Sequence, residues 1–422
     1  MSHPPPLVER ALAALGPRAS AARTWWVPGR LEFLGKHTDY AGGPSLICAI
    51  ERGFAVAAIP RDDRRVRIQD AFSGESAETE LDASLTPPRA HWSNYPFTVA
   101  RRVARNFPGA RSGVDLAFAS DLPPAAGLSS SSAFIVATFL ALADANELEA
   151  RSEYRGAIRN TEDLAAYLGA VENGDGFRSL AGDHGVGTQG GSQDHTAILC
   201  SRLGSLVQYA FAPTQFECEV PLPNDHAIVI AASGVVAEKT GNALELYNRA
   251  SARARAALAV WQEATGSTAA TLGAALAESL STLDRFRAVL ERQPELLARV
   301  EQFHLEATIV RAAGDALARG HLGVLGVLVD RSQANAERLL GNQVPETIAL
   351  AHSARELGAT AASAFGAGFG GSVYALVRDP EEFRERWAGR HNKEFAGRAA
   401  AATFFVTRAG QPARQLSENA NH

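Results

Sequence analysis

Hydrophobic and polar positions alternate in strand-like runs through the first half of the chain and recur at helical spacing through the second. A short amphipathic helix is expected around Leu7–Leu15. Trp25–Val27 then leads into Pro28-Gly29-Arg30, Ser45–Ile50 and Phe54–Ile59 read as strands, and Arg64–Ile68 alternates like an exposed strand after a turn at Arg61–Arg64. Tyr95, Val99 and Val103 place a helix over Asn94–Phe107, stopped by Pro108-Gly109. Val114–Ala119 is a further strand, feeding a Gly/Ser loop and an apolar helix over 130–143. A polar, glycine-rich loop runs from Asn173 to Gln193, too long for an ordinary connection and of a kind usually functional or mobile. After the apolar strand Ala227–Ala232 come long helices, clearest at Ala250–Glu263, Glu301–Ala318 and Val344–Leu357. A glycine turn at Gly366–Gly371 precedes the strand Ser372–Val377.

Strands mixed with helices in both halves predict an α+β protein with mixed sheets in two domains. The expected division is 1–212 and 213–407, near Ala212-Pro213, with a polar, flexible tail over 408–422. At 422 residues, 46% hydrophobic and 21% charged, the chain has the apolar content that a disordered protein lacks. The 41 basic and 46 acidic residues leave a formal charge of −5, which argues against nucleic acid and anionic membranes as partners. Cys48, Cys200 and Cys218 lie far apart and form no C-x-x-C pair, so neither a cysteine zinc site nor a dithiol centre is supported. The sparse cysteines, the absence of a signal-like N-terminus and the shortness of the longest apolar run, Ala133–Ala143, together predict a cytoplasmic protein.

Two segments match G-x-G-x-x-G, at Gly185–Gly190 and Gly366–Gly371. Neither follows a strand and opens a helix, the context that a dinucleotide site needs, so an oxidoreductase is disfavoured. No G-x-x-x-x-G-K-[ST] occurs. The loop Pro123–Ser132 is more informative, because it does follow a strand and enter an apolar helix. Small residues there let the backbone wrap an anion, and a helix N-terminus turns free N–H groups and positive dipole toward it. One serine is explained by helix capping; four consecutive hydroxyls, Ser129–Ser132, also suit phosphate or a magnesium ion.

Three segments in this order resemble the GHMP small-molecule kinases, over about residues 25–380. Residues 28–43, PGRLEFLGKHTDYAGG, are similar to the galactokinase signature P-G-R-V-N-L-I-G-E-H-T-D-Y-N-G-G. Residues 121–132, DLPPAAGLSSSS, are similar to the family's P-x-G-x-G-L-S-S-S-A, and residues 363–371, SAFGAGFGG, to its G-x-G-F-G-G. Ala125 and Ala126 replace glycines, Ser132 an alanine, Glu32 an asparagine and Lys36 a glutamate. Side chains at 125 and 126 lead to the expectation that the backbone there avoids positive φ, with a helix N-terminus near Ser129.

The resemblance implies a GHMP-kinase-like fold with the active site in a cleft between domains, ATP and Mg²⁺ as cofactors, and phosphorylation of a sugar's anomeric hydroxyl. It casts Asp194 as proton acceptor and Arg30 as its electrostatic partner, where a bare loop or cap aspartate is the plainer reading of Asp194. Gly127, Ser129, Ser130 and Ser131 would hold ATP, and Ser131 with Glu172 the metal, although a solvated helical glutamate is an ordinary alternative. Trp92 either stacks on adenine or packs as a core tryptophan. His37, Asp39, Gly191 and Tyr247 match positions that hydrogen-bond the sugar. The adjacent pairs Asp183-His184 and Asp194-His195 do not have the spacing of metal ligands on a helix.

Lys36 bears on the substrate. In galactokinases the glutamate here accepts a hydrogen bond from the sugar's 6-hydroxyl, whereas lysine only donates. Galactose or a related sugar is the leading expectation, with Lys36 turned to solvent or paired with Glu32. A galacturonate-like uronic acid held by Lys36 is the alternative, and a non-catalytic sugar sensor a second one. Sugar and ATP are the expected partners of a monomer or weak homodimer.

Overall fold

The computed structural model describes residues 5–89, 91–235 and 241–416. Its strands are β1 (Arg23–Leu34), β2 (Pro44–Pro60), β3 (Arg65–Asp70), β4 (Ser76–Glu80), β5 (Val114–Ser120), β6 (Ser205–Ala210), β7 (Gln215–Pro221), β8 (Ala227–Ala232), β9 (Ala361–Phe365), β10 (Ser372–Val377), β11 (Thr403–Thr407) and β12 (Arg414–Leu416). The first sheet runs β12-β1-β2-β5-β3-β4, with β6 also paired to β2 and β7 to β6; only β3–β5 is parallel. The second sheet, β11-β8-β10-β9, is antiparallel throughout. This is the two-domain α+β architecture expected.

Several boundaries differ from the sequence reading. The two runs at Ser45–Ile50 and Phe54–Ile59 are one continuous strand, β2. The change of sheet falls between Pro221 and Ala227 rather than at Ala212-Pro213, because β7 still pairs with β6. The expected flexible tail is also corrected in part. Arg414–Leu416 pair with Thr24–Trp26, and Ala409 bridges Ile50, so residues 408–416 close the edge of the first sheet; 417–422 lie outside the described residues. Three polar-flanked residues carry no pattern that would announce a strand. Among the described residues, no helix is long and apolar enough to cross a membrane.

β1 positions the site. It pairs on both sides, and every residue from Trp25 to Leu34 is buried, so the charged pair Arg30 and Glu32 sits inside the protein. Between these two residues the register against β2 is regular, Arg30 opposite Ala49 and Glu32 opposite Ile47. Their side chains therefore leave the strand on the same face. The apolar helix Ser130–Ala145 packs behind the sheet, with Phe134, Ile135 and Phe139 in the main core. The sheets meet where Phe33 of β1 stacks on Tyr374 of β10 at 4.6 Å and the tyrosine hydroxyl donates to the Phe33 carbonyl at 2.8 Å.

A separate core forms among helices Gly241–Thr265, Thr282–Val289 and Pro294–Ala318, where Trp261 stacks on Phe286. Arg299 ties this layer to the first domain. Its buried guanidinium donates to the His37 carbonyl at 2.5 Å and to the Tyr40 hydroxyl at 3.2 Å, while Gln302 holds the Lys36 carbonyl at 3.1 Å. Four hydrogen bonds from the Arg299 guanidinium, to Ala250, Gln302, His37 and Tyr40, make a rigid anchor for the turn that follows β1.

Candidate active site

Three glycine-bearing segments converge on β1. The Ser372 hydroxyl donates to the Ala126 carbonyl at 2.6 Å, joining the strand after the C-terminal glycine turn to the serine loop. At Gly366, with φ +78°, an added Cβ would lie 3.2 Å from the Gly127 carbonyl and 3.5 Å from Arg30 Nη2. The serine loop itself departs from expectation. Ala125 has φ 50° and Ser129 φ 58°, so alanine adopts the left-handed backbone that the sequence reading had it avoid. The loop keeps the path that glycine would take, at a cost of about 1–2 kcal/mol at Ala125. Ser129 stands at the N-cap of the helix Ser130–Ala145, where the N-terminus was expected.

Arg30 and Asp194 form the centre. Arg30 Nε donates to Asp194 Oδ1 at 2.6 Å, and Arg30 Nη1 to the Gly127 carbonyl at 2.7 Å. The Ser129 hydroxyl takes the other carboxylate oxygen, Oδ2, at 2.5 Å. Asp194 lies in the first turn of the helix Gln193–Cys200, where the dipole also favours a carboxylate. Arg30 is 4% exposed and still holds its proton above the ordinary arginine range, because the Asp194 charge and hydrogen bond outweigh the opposing effect of burial.

A cleft enclosing about 510 Å³, part of it open to solvent, lies beside this pair. His37, Asp39, Gly191 and Tyr247 line it, as do Arg30 and Asp194. Asp39 Oδ2 accepts from the Gln193 amide at 3.2 Å, and burial pushes its carboxyl up to about 6. His37 has Nδ1 2.9 Å from the Tyr40 hydroxyl and Nε2 3.1 Å from the Ala367 carbonyl. The carbonyl can only accept, so Nε2 carries the proton and Nδ1 accepts from tyrosine. Gly191 is required by contact: a Cβ there would meet Asp39 Oδ2 at 2.4 Å. The long loop is pinned rather than loose, since Arg101 pairs with Asp183 at 2.6 Å and Arg102 binds the Ala181 carbonyl at 2.7 Å.

Lys36 is not in this cavity. It is 1% exposed, donates from Nζ to the Ser332 hydroxyl at 3.0 Å, and belongs to a buried network in which Glu306 Oε1 accepts from Ser332 at 2.9 Å and from the Lys36 amide at 3.2 Å. It neither swings into solvent nor forms an ion pair within 4 Å of Glu32. Instead Glu32 lines the cavity, a residue that the sequence reading noticed only as a departure. Gln193 Nε2 donates to its Oε2 at 2.7 Å, whereas the buried Oε1 has no hydrogen-bond partner. Burial pushes the Glu32 carboxyl up to about 7, although Arg30, Lys36 and Gln193 pull it down.

Glu172 also lines the cavity; Ser132 donates to its Oε2 at 2.8 Å, and His195 Nε2 lies 3.2 Å from the same oxygen. Ser131 is half-buried at the start of the helix. One buried carboxylate and several serine hydroxyls are hard oxygen donors of the kind that Mg²⁺ takes. Among the described residues no cluster of three or more histidine, cysteine or acidic side chains could hold a metal unaided. That donor set fits a magnesium ion shared with substrate phosphates. Trp92 stays outside the cavity lining; it stacks on Phe134, one turn into the serine-loop helix, and donates to Glu75 at 2.6 Å.

Comparison with known proteins decides the family. Residues 94–201 match the GHMP kinases N terminal domain, 17–60 the galactokinase galactose-binding signature, and 315–393 the GHMP kinases C terminal region. A galactokinase of Chloroflexus aggregans is 30% identical over 360 residues, covering 83% of this chain and 82% of the relative. The chain belongs to the galactokinase family of sugar kinases. A galactokinase of Actinobacillus pleuropneumoniae is 40% identical over 114 residues, a match that spans only 27% of this chain and 30% of that protein. The crystal structure of Lactococcus lactis galactokinase complexed with galactose superposes with a TM-score of 0.78, covering 94% of this chain and 95% of that one at 24% identity, and has the same fold.

Proposed function

We propose that the protein transfers the γ-phosphoryl group of ATP to the anomeric hydroxyl of galactose or a closely related neutral hexose. The observation that carries this reading is the carboxylate of Asp194, held at both oxygens by Arg30 and Ser129 in the lining of a polar cavity. In the reaction the sugar oxygen attacks phosphorus, the bond to the ADP oxygen breaks, and the hydroxyl proton passes to Asp194. Arg30 offsets charge between the carboxylate and the transferring group. The serine loop and the N-terminus of its helix would receive the phosphates, with Gly127, Ser129, Ser130 and Ser131 nearest. Ser131 and Glu172 would hold Mg²⁺, which would neutralise phosphate charge when bound. The adenine side would lie toward Trp92.

His37, Asp39, Gly191 and Tyr247 offer the mixture of donors and acceptors that vicinal hydroxyls require. A uronic acid loses its support, since Lys36 is not placed to meet a substrate carboxylate and Glu32, Asp39, Glu172 and Asp194 make the cavity rich in acidic groups. The intact Arg30–Asp194 pair likewise favours catalysis over a sensor. The test is ADP release with ATP, Mg²⁺ and a panel of hexoses, followed by phosphorus NMR of the product. The expected product is a galactose-type 1-phosphate; ADP release with none of the sugars, or phosphorylation at another hydroxyl, would overturn the reading.

A further inference from the structure

We infer that Glu32 is a specificity residue, accepting a hydrogen bond from a sugar hydroxyl on the side of the ring remote from C1, an assignment that presupposes the hexose kinase reading above. β1 supplies the geometry. Arg30 and Glu32 share one face of a regular stretch, and their Cα atoms lie roughly 6.6 Å apart at the usual rise of a strand. That spacing is about the span of a hexopyranose. With C1 at the Asp194–Arg30 pair, a side chain one same-face step farther along β1 meets the C4 or C6 end of the ring.

The chemistry supplies the rest. Glu32 is 4% exposed and lines the cavity, yet only one of its carboxylate oxygens is occupied, Oε2 by Gln193 at 2.7 Å. Buried Oε1 has no partner, a costly state for a carboxylate unless a ligand completes it. Gln193 is separated by one residue from the cavity glycines Gly190 and Gly191 and directly precedes Asp194, so the amide that holds Glu32 is coupled to the segment that carries the proton acceptor. The chain has thus exchanged an acceptor at position 36, where the galactokinase signature has glutamate, for one at position 32. Lys36 has withdrawn into the Ser332–Glu306 network beneath it. An acceptor in this place selects a hydroxyl and repels a carboxylate.

The experiment compares kcat/KM at about pH 8, where the Glu32 carboxyl is ionised, for galactose, 4-deoxygalactose and 6-deoxygalactose in the wild-type enzyme, Glu32→Met and Glu32→Gln. Methionine keeps the length and removes the acceptor; glutamine keeps a carbonyl acceptor and controls for folding. The wild type should prefer galactose over one of the two deoxy sugars by about tenfold to a hundredfold, the worth of a charge-assisted hydrogen bond. Glu32→Met should lose most of that factor on galactose while changing turnover of that deoxy sugar by less than about threefold, and Glu32→Gln should retain a preference. Equal losses on all three sugars, or an unchanged preference in Glu32→Met, overturn the role of Glu32 and leave the kinase reading standing. No turnover of any hexose by the wild type overturns both.

Discussion

Arg30 grips Asp194 through Nε at 2.6 Å while the same guanidinium holds the Gly127 carbonyl at 2.7 Å. One side chain on a central strand thereby fixes the distance between Asp194 and the serine loop. The planar fork matters, because its nitrogens point to the two partners in a set geometry that an ammonium group lacks. Arg30→Lys should lower kcat about a hundredfold, comparable to loss of one preorganised electrostatic donor, with the sugar KM within about threefold. A raised KM with kcat retained would make Arg30 a binding residue instead.

The Lys36 position gives a second prediction. Lys36→Glu would bury another carboxylate close to Glu306 and remove the cation that helps to offset Glu32. The expected outcome is lost stability, of about 3 kcal/mol or more by analogy with broken buried ion pairs, measured by chemical denaturation. Galactose should be preferred over galacturonate in the wild type, and the ratio should hardly move in whatever folded mutant remains. A wild type that prefers galacturonate would contradict this placement.

Glu32 predicts a pH dependence. Burial raises its carboxyl to about 7, so between about pH 4 and pH 7 the folded state retains a proton that the unfolded chain has released. The resulting stabilisation is fully present below the unfolded pKa and is lost as pH rises through about 7. Glu32→Gln removes this titration. The stability of the mutant relative to wild type should climb from about pH 5 to about pH 8 by on the order of 3 kcal/mol, read by urea unfolding at each pH. A flat difference would show that Glu32 ionises normally.

Ala125 provides a test of the serine loop. Its φ of 50° is one that glycine adopts freely. Ala125→Gly should stabilise the protein by about 0.5–1 kcal/mol, the relief of strain exceeding the extra chain entropy that glycine loses on folding. Destabilisation by that amount would mean that the alanine side chain contributes packing worth more than the strain.

Much of this architecture was legible along the chain, for identifiable reasons. Long periodic segments such as Asn94–Asn106 and the Glu301–Ala318 part of the helix Pro294–Ala318 carry enough apolar positions to define themselves, and the glycine segments around Gly43, Gly127 and Gly371 declare close backbone approach. The parity of β1 also held the clue to Glu32, because a residue two positions from Arg30 must face the same way. Lys36 was misread because the strand ends at Leu34, and the left-handed turn at Gly35 and His37 redirects the side chain between them. Contacts between residues far apart in sequence, Ser129 with Asp194 or Ser132 with Glu172, leave no local pattern. The same is true of the short strand Arg414–Leu416, formed because β1 offers it an edge.

The role of Asp194 is the most direct test. Asp194→Asn preserves shape and removes the proposed proton acceptor, whose described side-chain partners are Arg30 and Ser129. With galactose and saturating ATP, kcat should fall by about a hundredfold or more, while the dissociation constant for ATP stays within about twofold. Near-native turnover by the mutant would contradict the account and remove Asp194 from the chemistry.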